Sequence, residues 1–582
     1  MSKMLRMATL LGPAVLLLLL ILGSQISSAH ETERRLSPES TEKLKAIGSW
    51  SAAGLVSCEM CELAAVLFEG FLERNATTEE VIKTTTDVCN TLKIEQPEVC
   101  HGLMFAYAPV VYDVLIESAL EPRMICTKLK MCMAKENTYE HFNQLDRMAS
   151  FGSNLLDKPN YKDVKPQEPR LKEPFTGVGY ILQLADIHTD PYYVVGSNPD
   201  CGRPGACCRD GTGDAGFYGD YLCDIPLHSV GLIFEQILEV HKTYPISLVV
   251  YTGDNPPHDI WNQSIPRQVE STEVVSKLIN DYFHDFVVLP SVGNHESWPS
   301  EEFILPKNQW LLDALETSWS PWLDKAELET VKKGGYYTML VQKGLRVVSI
   351  NSYDSDLFNL YNLLEHSNMN IKHNQSDWLI NVMEQAEANS EKVIIVGHIP
   401  CTLKSSVNDH WCSLYASIVE RFSTIIAAQF YGHTHKDQLV VFTDAATNSK
   451  ATGMNYVSPC ITTLLKHMPS FRLYEYDFTT NEVLNYQQYV TDIREWNANG
   501  NMTFRLAYTA KELYNLPDLS PQSWYNLAQE FKTNATLFNN YYQFLYNSPY
   551  GPPHACDDNC RKTWTCEIFG VTSQLFDKCL GV

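Results

Sequence analysis

The sequence predicts an α/β domain with buried strands, set between a small all-α, disulfide-stapled unit and a helical, disulfide-containing C-terminal region. Three observations predict this. Six cysteines punctuate amphipathic segments between residues 58 and 132. From about Tyr180 short β-rich runs alternate with helical segments. After about residue 490 the chain turns Asn/Tyr-rich with helical spacing. With 582 residues, 45% hydrophobic and 20% charged, the chain is long enough for several domains and has an ordinary globular composition.

Residues 1–29 carry Lys3 and Arg6, an apolar run through Leu22, and small residues at Ser27 and Ala29. This pattern predicts a secretory signal peptide, with an uncleaved anchor as the alternative for so long an apolar run. No second stretch of spanning length is expected, so the mature protein should be soluble. Its removal takes two basic residues and no acids, so the formal charge moves from −24 to −26. That excludes nucleic acid as an expected partner. A pI near 5.1 also lets the charge nearly vanish in an acidic compartment, easing approach to an anionic membrane surface. In an oxidising compartment the 17 cysteines are read mostly as disulfides, with at least one left unpaired. Five sequons, at Asn75, Asn262, Asn374, Asn501 and Asn534, fit N-glycosylation and a secreted or lysosomal destination.

The first unit spans residues 54–136. Its cysteines Cys58, Cys61, Cys89, Cys100, Cys126 and Cys132 follow C-x2-C-x27-C-x10-C-x25-C-x5-C, and spacing alone leaves fifteen connectivities open. The pattern resembles the saposin B-type domain. That resemblance implies the pairs Cys58–Cys132, Cys61–Cys126 and Cys89–Cys100, and a helical fold that covers lipid with an apolar face. A stapled bundle that merely packs on its neighbour is the alternative. Residues 137–177 follow as a proline-rich linker or strap; four prolines lie within KPNYKDVKPQEPRLKEP.

The α/β domain is assigned to residues 178–490. Its apolar runs close on Asp186-Ile-His188, Gly253-Asp254, Gly293-Asn294-His295-Glu296, Gly397-His398 and Gly432-His433-Thr434-His435. Strand ends are where open α/β sheets place ligand sites. Carboxylates, an amide and imidazoles without thiolates suit zinc, manganese or iron. Two cations held close need a shared anionic ligand, and an Asp can bridge where a His cannot.

The order D-x-H, GD, GNHE, GH, GHxH resembles the calcineurin-like metallophosphoesterases, whose fold is a sandwich of mixed sheets flanked by helices. The resemblance implies two divalent metal ions, zinc before other metals. Asp254 would be the bridge, with Asp186, His188 and His435 on one ion and Asn294, His398 and His433 on the other. An extended segment puts residues i and i+2 on one side, which would suit His433 and His435 serving the two ions. The implied chemistry is attack on phosphorus by a two-metal-activated water. His295 and His258 are the candidate general acids, which would favour acidic pH; a purely positioning role is the alternative for His258.

Within that superfamily, LADIHTDPYY, YTGDNPPHDIWNQ and SVGNHES resemble the acid sphingomyelinase branch. So does the insertion carrying Cys201, Cys207, Cys208 and Cys223, for which the resemblance implies the pairs Cys201–Cys207 and Cys208–Cys223. The saposin-type unit ahead of the phosphoesterase domain points the same way. Sphingomyelin in membranes is then the implied substrate, ceramide and phosphocholine the products, and a monomer the expected state. A soluble nucleotide or other phosphoester is the second reading, and a non-catalytic lipid-binding protein the third. The branch has a cysteine between SINSYD and GHIP that this chain lacks, so one of Cys401, Cys412 and Cys460 is expected to be free. Residues 491–582 are read as a helical domain stapled locally by Cys556, Cys560, Cys566 and Cys579.

Overall fold

The computed structural model describes residues 58–91, 93–118, 122–130, 132, 167–364, 375–402 and 408–581. The expected signal peptide, Asn374 and most of the proline-rich linker lie outside them.

Helices α1 (Cys58–Glu73), α2 (Thr78–Thr91), α3 (Pro97–Ser118) and α4 (Pro122–Lys128) form the N-terminal unit. Cys61–Cys126 ties α1 to α4 and Cys89–Cys100 ties α2 to α3. Cys132 is disulfide-bonded as well; the side chain of its expected partner Cys58 lies outside the described ones.

Residues 97–117 are long and apolar enough to cross a membrane, which corrects the expectation that no second such stretch exists. The apolarity has another use, because 67% of that stretch is buried. Tyr107, Val111 and Leu115 pack with Ile304, Leu360 and Trp261 of the α/β domain. At Gly102 the two backbones touch: a Cβ there would collide with the Trp261 carbonyl. Lys307 adds an ion pair with Asp113 at 2.7 Å. Phe105 and Ile116 remain about half-exposed at its margin, at 52% and 54%.

The α/β domain is two six-stranded sheets. The first runs β14-β13-β12-β1-β4-β5, with β1 (Val178–Leu184), β4 (Ile246–Tyr251) and β5 (Val287–Pro290) parallel. Its antiparallel half is β12 (Ser470–Asp477), β13 (Glu482–Val490) and β14 (Arg505–Thr509). The second runs β10-β11-β9-β8-β7-β6. Its parallel core is β7 (Leu345–Ser349), β8 (Lys392–Val396), β9 (Ile426–Tyr431) and β11 (Ala451–Val457). β6 (Tyr337–Gln342) and β10 (Gln438–Thr443) are its antiparallel edges. A short pair, β2 (Thr189–Asp190) and β3 (Ile225–Pro226), lies between β1 and helix α5 (Leu227–His241).

Buried runs such as ISLVVY and KVIIV are the strand type expected for parallel sheets covered on both faces. One apolar core, including Leu182, Val249, Val347, Ile394 and Phe430, lies between the sheets. Gln183 stitches them: its Nε2 donates to the Tyr431 carbonyl at 2.8 Å, and its Oε1 accepts from Tyr474 at 2.7 Å. The linker's described end is a strap, with the Arg170 and Leu171 N–H groups donating to the Leu340 and Val341 carbonyls of β6 at 2.8 and 3.0 Å.

The C-terminal region continues the first sheet. β14 pairs with β13, and Trp524, Leu527, Phe538 and Tyr542 belong to the core between the sheets. The rest of residues 491–581 is the expected run of helices, packed on the α/β domain. RLAYT is too short, and too exposed at its start, to announce itself as a strand. Disulfides Cys556–Cys560 and Cys566–Cys579 staple its last two helices, Asp558–Phe569 and Ser573–Leu580. Of the three cysteines left open, Cys401 and Cys412 are joined and Cys460 is free and buried.

Candidate metal centre

Five parallel strands, β1, β4 and β5 of the first sheet and β8 and β9 of the second, end in loops that turn polar side chains into one pocket. Asp186 and His188 follow β1, Asp254 follows β4, Asn294 follows β5, His398 follows β8, and His433 and His435 follow β9. The turns are tight. Asp186, His188, Asp254, His433 and His435 all have left-handed backbones, with φ of 51°, 37°, 65°, 70° and 56°. Non-glycine residues rarely hold that conformation, and clustering of such strain marks functional sites. The motif glycines have a steric reason: a Cβ on Gly293 would collide with the Asp254 carboxylate, and one on Gly432 would stand 2.5 Å from Asp186 Oδ2.

The seven expected ligands come together. Asp254 Oδ2 lies 3.2 Å from His188 Nε2 and 3.0 Å from His398 Nε2. On one side His435 Nε2 stands 3.2 Å from His188 Nε2 and 3.5 Å from Asp186 Oδ1. On the other, Asn294 Oδ1 lies 2.7 Å from His398 Nε2 and 2.8 Å from His433 Nδ1. His188, Asp254 and His398 are fully buried or nearly so. One expectation is corrected: His433 and His435 are not on an extended segment. The Thr434 N–H donates to the Gly432 carbonyl at 2.8 Å, closing a three-residue turn around His433.

The donor set fits cations. His188 Nδ1 lies 2.8 Å from the Pro256 carbonyl and His398 Nδ1 lies 2.6 Å from that of Thr252. A carbonyl can only accept, so both Nδ1 atoms carry hydrogen, assigned from these contacts, and each Nε2, once deprotonated, turns its lone pair inward. Asp254 Oδ2, Asn294 Oδ1 and those nitrogens then meet as acceptors, and Asp186 Oδ2 is buried with no hydrogen-bond partner. Three His/Asp groupings place ligand atoms within 4.8 Å of one another: His188, His258 and His435; His188, Asp254 and His295; and Asp254, His398 and His433.

The charges agree. Burial, with Asp254 beside it, raises Asp186 to about 7 and Glu296 to about 8. Burial opposes a charge on His398, yet the Asp254 carboxylate raises it to about 9. The pocket is short of positive charge, and bound cations would supply it.

The two candidate acids differ. Burial drives His295 well below the usual imidazole range, and its Nδ1 is buried without a partner. His258 is raised instead: burial opposes its charge, but Asp224 outweighs that. Asp224 Oδ1 lies 2.8 Å from His258 Nδ1. The ring sits 3.9 Å from that of His188, centroid to centroid.

Sequence reasoning passed over Asp224 and Glu296. Glu296 accepts from the Asn255 N–H at 2.6 Å and the Asp254 N–H at 3.3 Å, shaping the loop that carries the central carboxylate. Its place inside GNHE was a usable signal. Asp224 stands directly after Cys223 at the end of the insertion, and nothing local ties it to His258. Cys201–Cys207 and Cys208–Cys223 staple that insertion. Of the described sequons, Asn75, Asn262 and Asn501 are exposed, while the Asn534 side chain caps a helix by accepting from the Leu537 N–H at 3.1 Å.

Residues 179–437 match the family described as calcineurin-like phosphoesterase, and residues 450–582 match the acid sphingomyelin phosphodiesterase C-terminal region. The chain is 45% identical to sphingomyelin phosphodiesterase A of Dictyostelium discoideum, over 97% of its own length and 99% of that protein's. It is 30% identical to the Homo sapiens sphingomyelin phosphodiesterase, over 90% and 82% of the two lengths. Similarity to the Mus musculus cyclic GMP-AMP phosphodiesterase SMPDL3A is also 30%, covering 69% of this chain and 92% of that one.

Proposed function

The chain belongs to the sphingomyelin phosphodiesterase family and is a metal-dependent phosphodiesterase, and from that premise we propose that it hydrolyses membrane sphingomyelin to ceramide and phosphocholine at acidic pH. The observation that carries the reading is the placement of Asp254 Oδ2 within 3.2 Å of both His188 and His398. Asp186, His188 and His435 would hold one divalent ion, Asn294, His398 and His433 the other, and Asp254 both; a nitrogen-rich set without thiolates suits zinc. When bound, such ions supply positive charge to the phosphoryl oxygens and bring the pKa of water toward neutrality.

The chain's own groups do the rest. The Pro256 and Thr252 carbonyls fix the tautomers of His188 and His398. Asp224 orients His258 and stabilises its protonated ring. His258 donates that proton to the oxygen leaving phosphorus, with His295 beside it at 4.9 Å between ring centroids. Protonated His258 is scarce at high pH, which supports an acidic optimum.

The N-terminal unit supports a lipid substrate. Phe105 is half-exposed and packs against Trp298, three residues from His295, at 6.1 Å between centroids. The exposed ring of α3 thus lies against the segment that follows His295, and tethering raises the effective concentration of catalyst at a membrane. Seven disulfides with both partners described support the secretory route and a secreted or lysosomal location.

A soluble nucleotide substrate is the second reading, favoured by the likeness to the SMPDL3A phosphodiesterase. Metal analysis combined with pH–rate profiles on sphingomyelin vesicles and on a cyclic dinucleotide tests both. Two ions per chain and faster turnover of vesicles in acid are expected; turnover of the dinucleotide alone would overturn the lipid reading.

A further inference from the structure

The loop after Cys460 carries two consecutive left-handed non-glycine residues, Leu465 (φ 62°) and Lys466 (φ 69°). A leucine in that region is an outlier and persists only where its surroundings fix it. Four hydrogen bonds do so. Thr462 Oγ1 donates to Asp224 Oδ1 at 2.8 Å and Thr463 Oγ1 to the Cys223 carbonyl at 2.7 Å. The Lys466 N–H donates to the Tyr221 carbonyl at 3.1 Å, and the His467 N–H to that of Thr463 at 3.3 Å.

The effect is to present apolar side chains to solvent. Leu465 is 49% exposed, Leu222 43% and Tyr550 57%. Lys466 Nζ lies 5.1 Å over the Tyr550 ring and makes no ion pair among the described residues. Arg494, at 4.6 Å from the same ring, is held by Asp492. Asp220, beside Leu222, is turned inward to accept from the Leu222 N–H at 2.8 Å. A chain of net charge −24 thus places an unpaired cation on an apolar tip. Leucine, tyrosine and lysine together are the side chains suited to a lipid–water boundary.

The loop also reaches the metal centre. The Ile461 and Thr462 N–H groups donate to the Asp186 carbonyl at 3.2 and 3.1 Å, and the His467 ring lies 5.4 Å from that of His435. We infer that Leu222, Leu465, Lys466 and Tyr550 form a second bilayer anchor, on the catalytic domain itself, which enters the surface of an anionic phospholipid membrane beside the site. The inference rests on the lipid substrate proposed above: a diester whose tails lie in a bilayer brings that bilayer to the rim of the pocket.

Leu465→Asn and Lys466→Gln test it, because asparagine tolerates the left-handed backbone and preserves the loop. Co-sedimentation with phosphatidylcholine/phosphatidylserine vesicles reads the anchor without catalysis. Turnover of sphingomyelin vesicles and of bis(p-nitrophenyl) phosphate in solution reads the chemistry. Leu465→Asn should weaken vesicle binding and vesicle turnover about tenfold, the loss expected for one apolar side chain kept in water. Turnover of the soluble diester should stay near wild type. Vesicle binding by both variants equal to wild type would overturn the anchor. Wild-type protein that binds vesicles and cleaves the soluble diester but leaves sphingomyelin intact would instead overturn the substrate reading.

Discussion

Asp224 grips His258 at two points: Oδ2 accepts from the His258 backbone N–H at 2.8 Å, and Oδ1 lies 2.8 Å from Nδ1. The carboxylate outweighs burial and raises the ring above the ordinary imidazole range. In the proposed role of general acid His258 works while protonated, so activity should fall as pH rises through this pKa. Asp224→Asn keeps the shape and removes the charge. The alkaline limb of the kcat profile should move to lower pH. A profile lowered in height but unmoved along the pH axis would show that Asp224 acts only as a brace.

Asp254→Asn should cost the chain both ions, because one oxygen faces the histidines of each side. The expected result is a metal content near zero after dialysis and a loss of activity of about a thousandfold or more. Retention of two ions by the purified variant would contradict the bridging role. A chelator should inactivate wild type, and zinc should restore it.

Asp356 is buried, with Oδ1 accepting from the Phe358 N–H at 2.8 Å and Oδ2 unpartnered. Burial raises its pKa to about 7, against the pull of that hydrogen bond. A raised carboxyl favours the folded state fully below the unfolded value of about 4, and the benefit is lost as pH rises through about 7. Wild type should therefore melt at a higher temperature near about pH 5 than near about pH 7.5. Asp356→Asn, neutral throughout, should flatten that slope and gain about 1 kcal/mol or more at the higher pH. An equal slope in both proteins would assign the pH dependence elsewhere.

Gly102→Ala places a methyl group against the Trp261 carbonyl. The backbone cannot yield without separating α3 from the catalytic domain. Amides of residues 97–118 should then exchange faster, with a stability loss of about 2 kcal/mol. Exchange unchanged from wild type would mean that the interface adapts.

Thiol titration checks the pairing of the cysteines. Cys460 is fully buried, and burial raises its pKa well above the usual thiol value. It should be unreactive in the native protein and react after unfolding without reductant. Cys401→Ser should add a second thiol that titrates only after unfolding, because Cys412 is as buried as Cys460, and should cost about 3 kcal/mol, the loop-closure value for the 11-residue separation it spans.

Much of the candidate centre was legible because the residues proposed as ligands sit in short motifs at the ends of apolar runs, and chemistry restricts which residues can stand there. Asp224 was not, because it meets His258 across 34 residues that hold helix α5 and strand β4. The pairing of Cys401 with Cys412 depends on where a helix starting at Asp409 packs, which periodicity does not reveal. His433 and His435 misled for a related reason: alternation assumes an extended chain, and the left-handed φ of both residues breaks it. The N-terminal unit's apolar excess was visible in composition, but its division between a protein neighbour and open surface appears only in packing.

The pairing of β1 with both β4 and β12 has a kinetic consequence. The strand at the middle of the first sheet is synthesised early, yet one of its flanks arrives almost three hundred residues later. The nascent chain must hold that edge unpaired until nearly all of it has left the ribosome, so folding should finish only after synthesis does, and truncation before β14 should yield aggregates rather than a smaller enzyme.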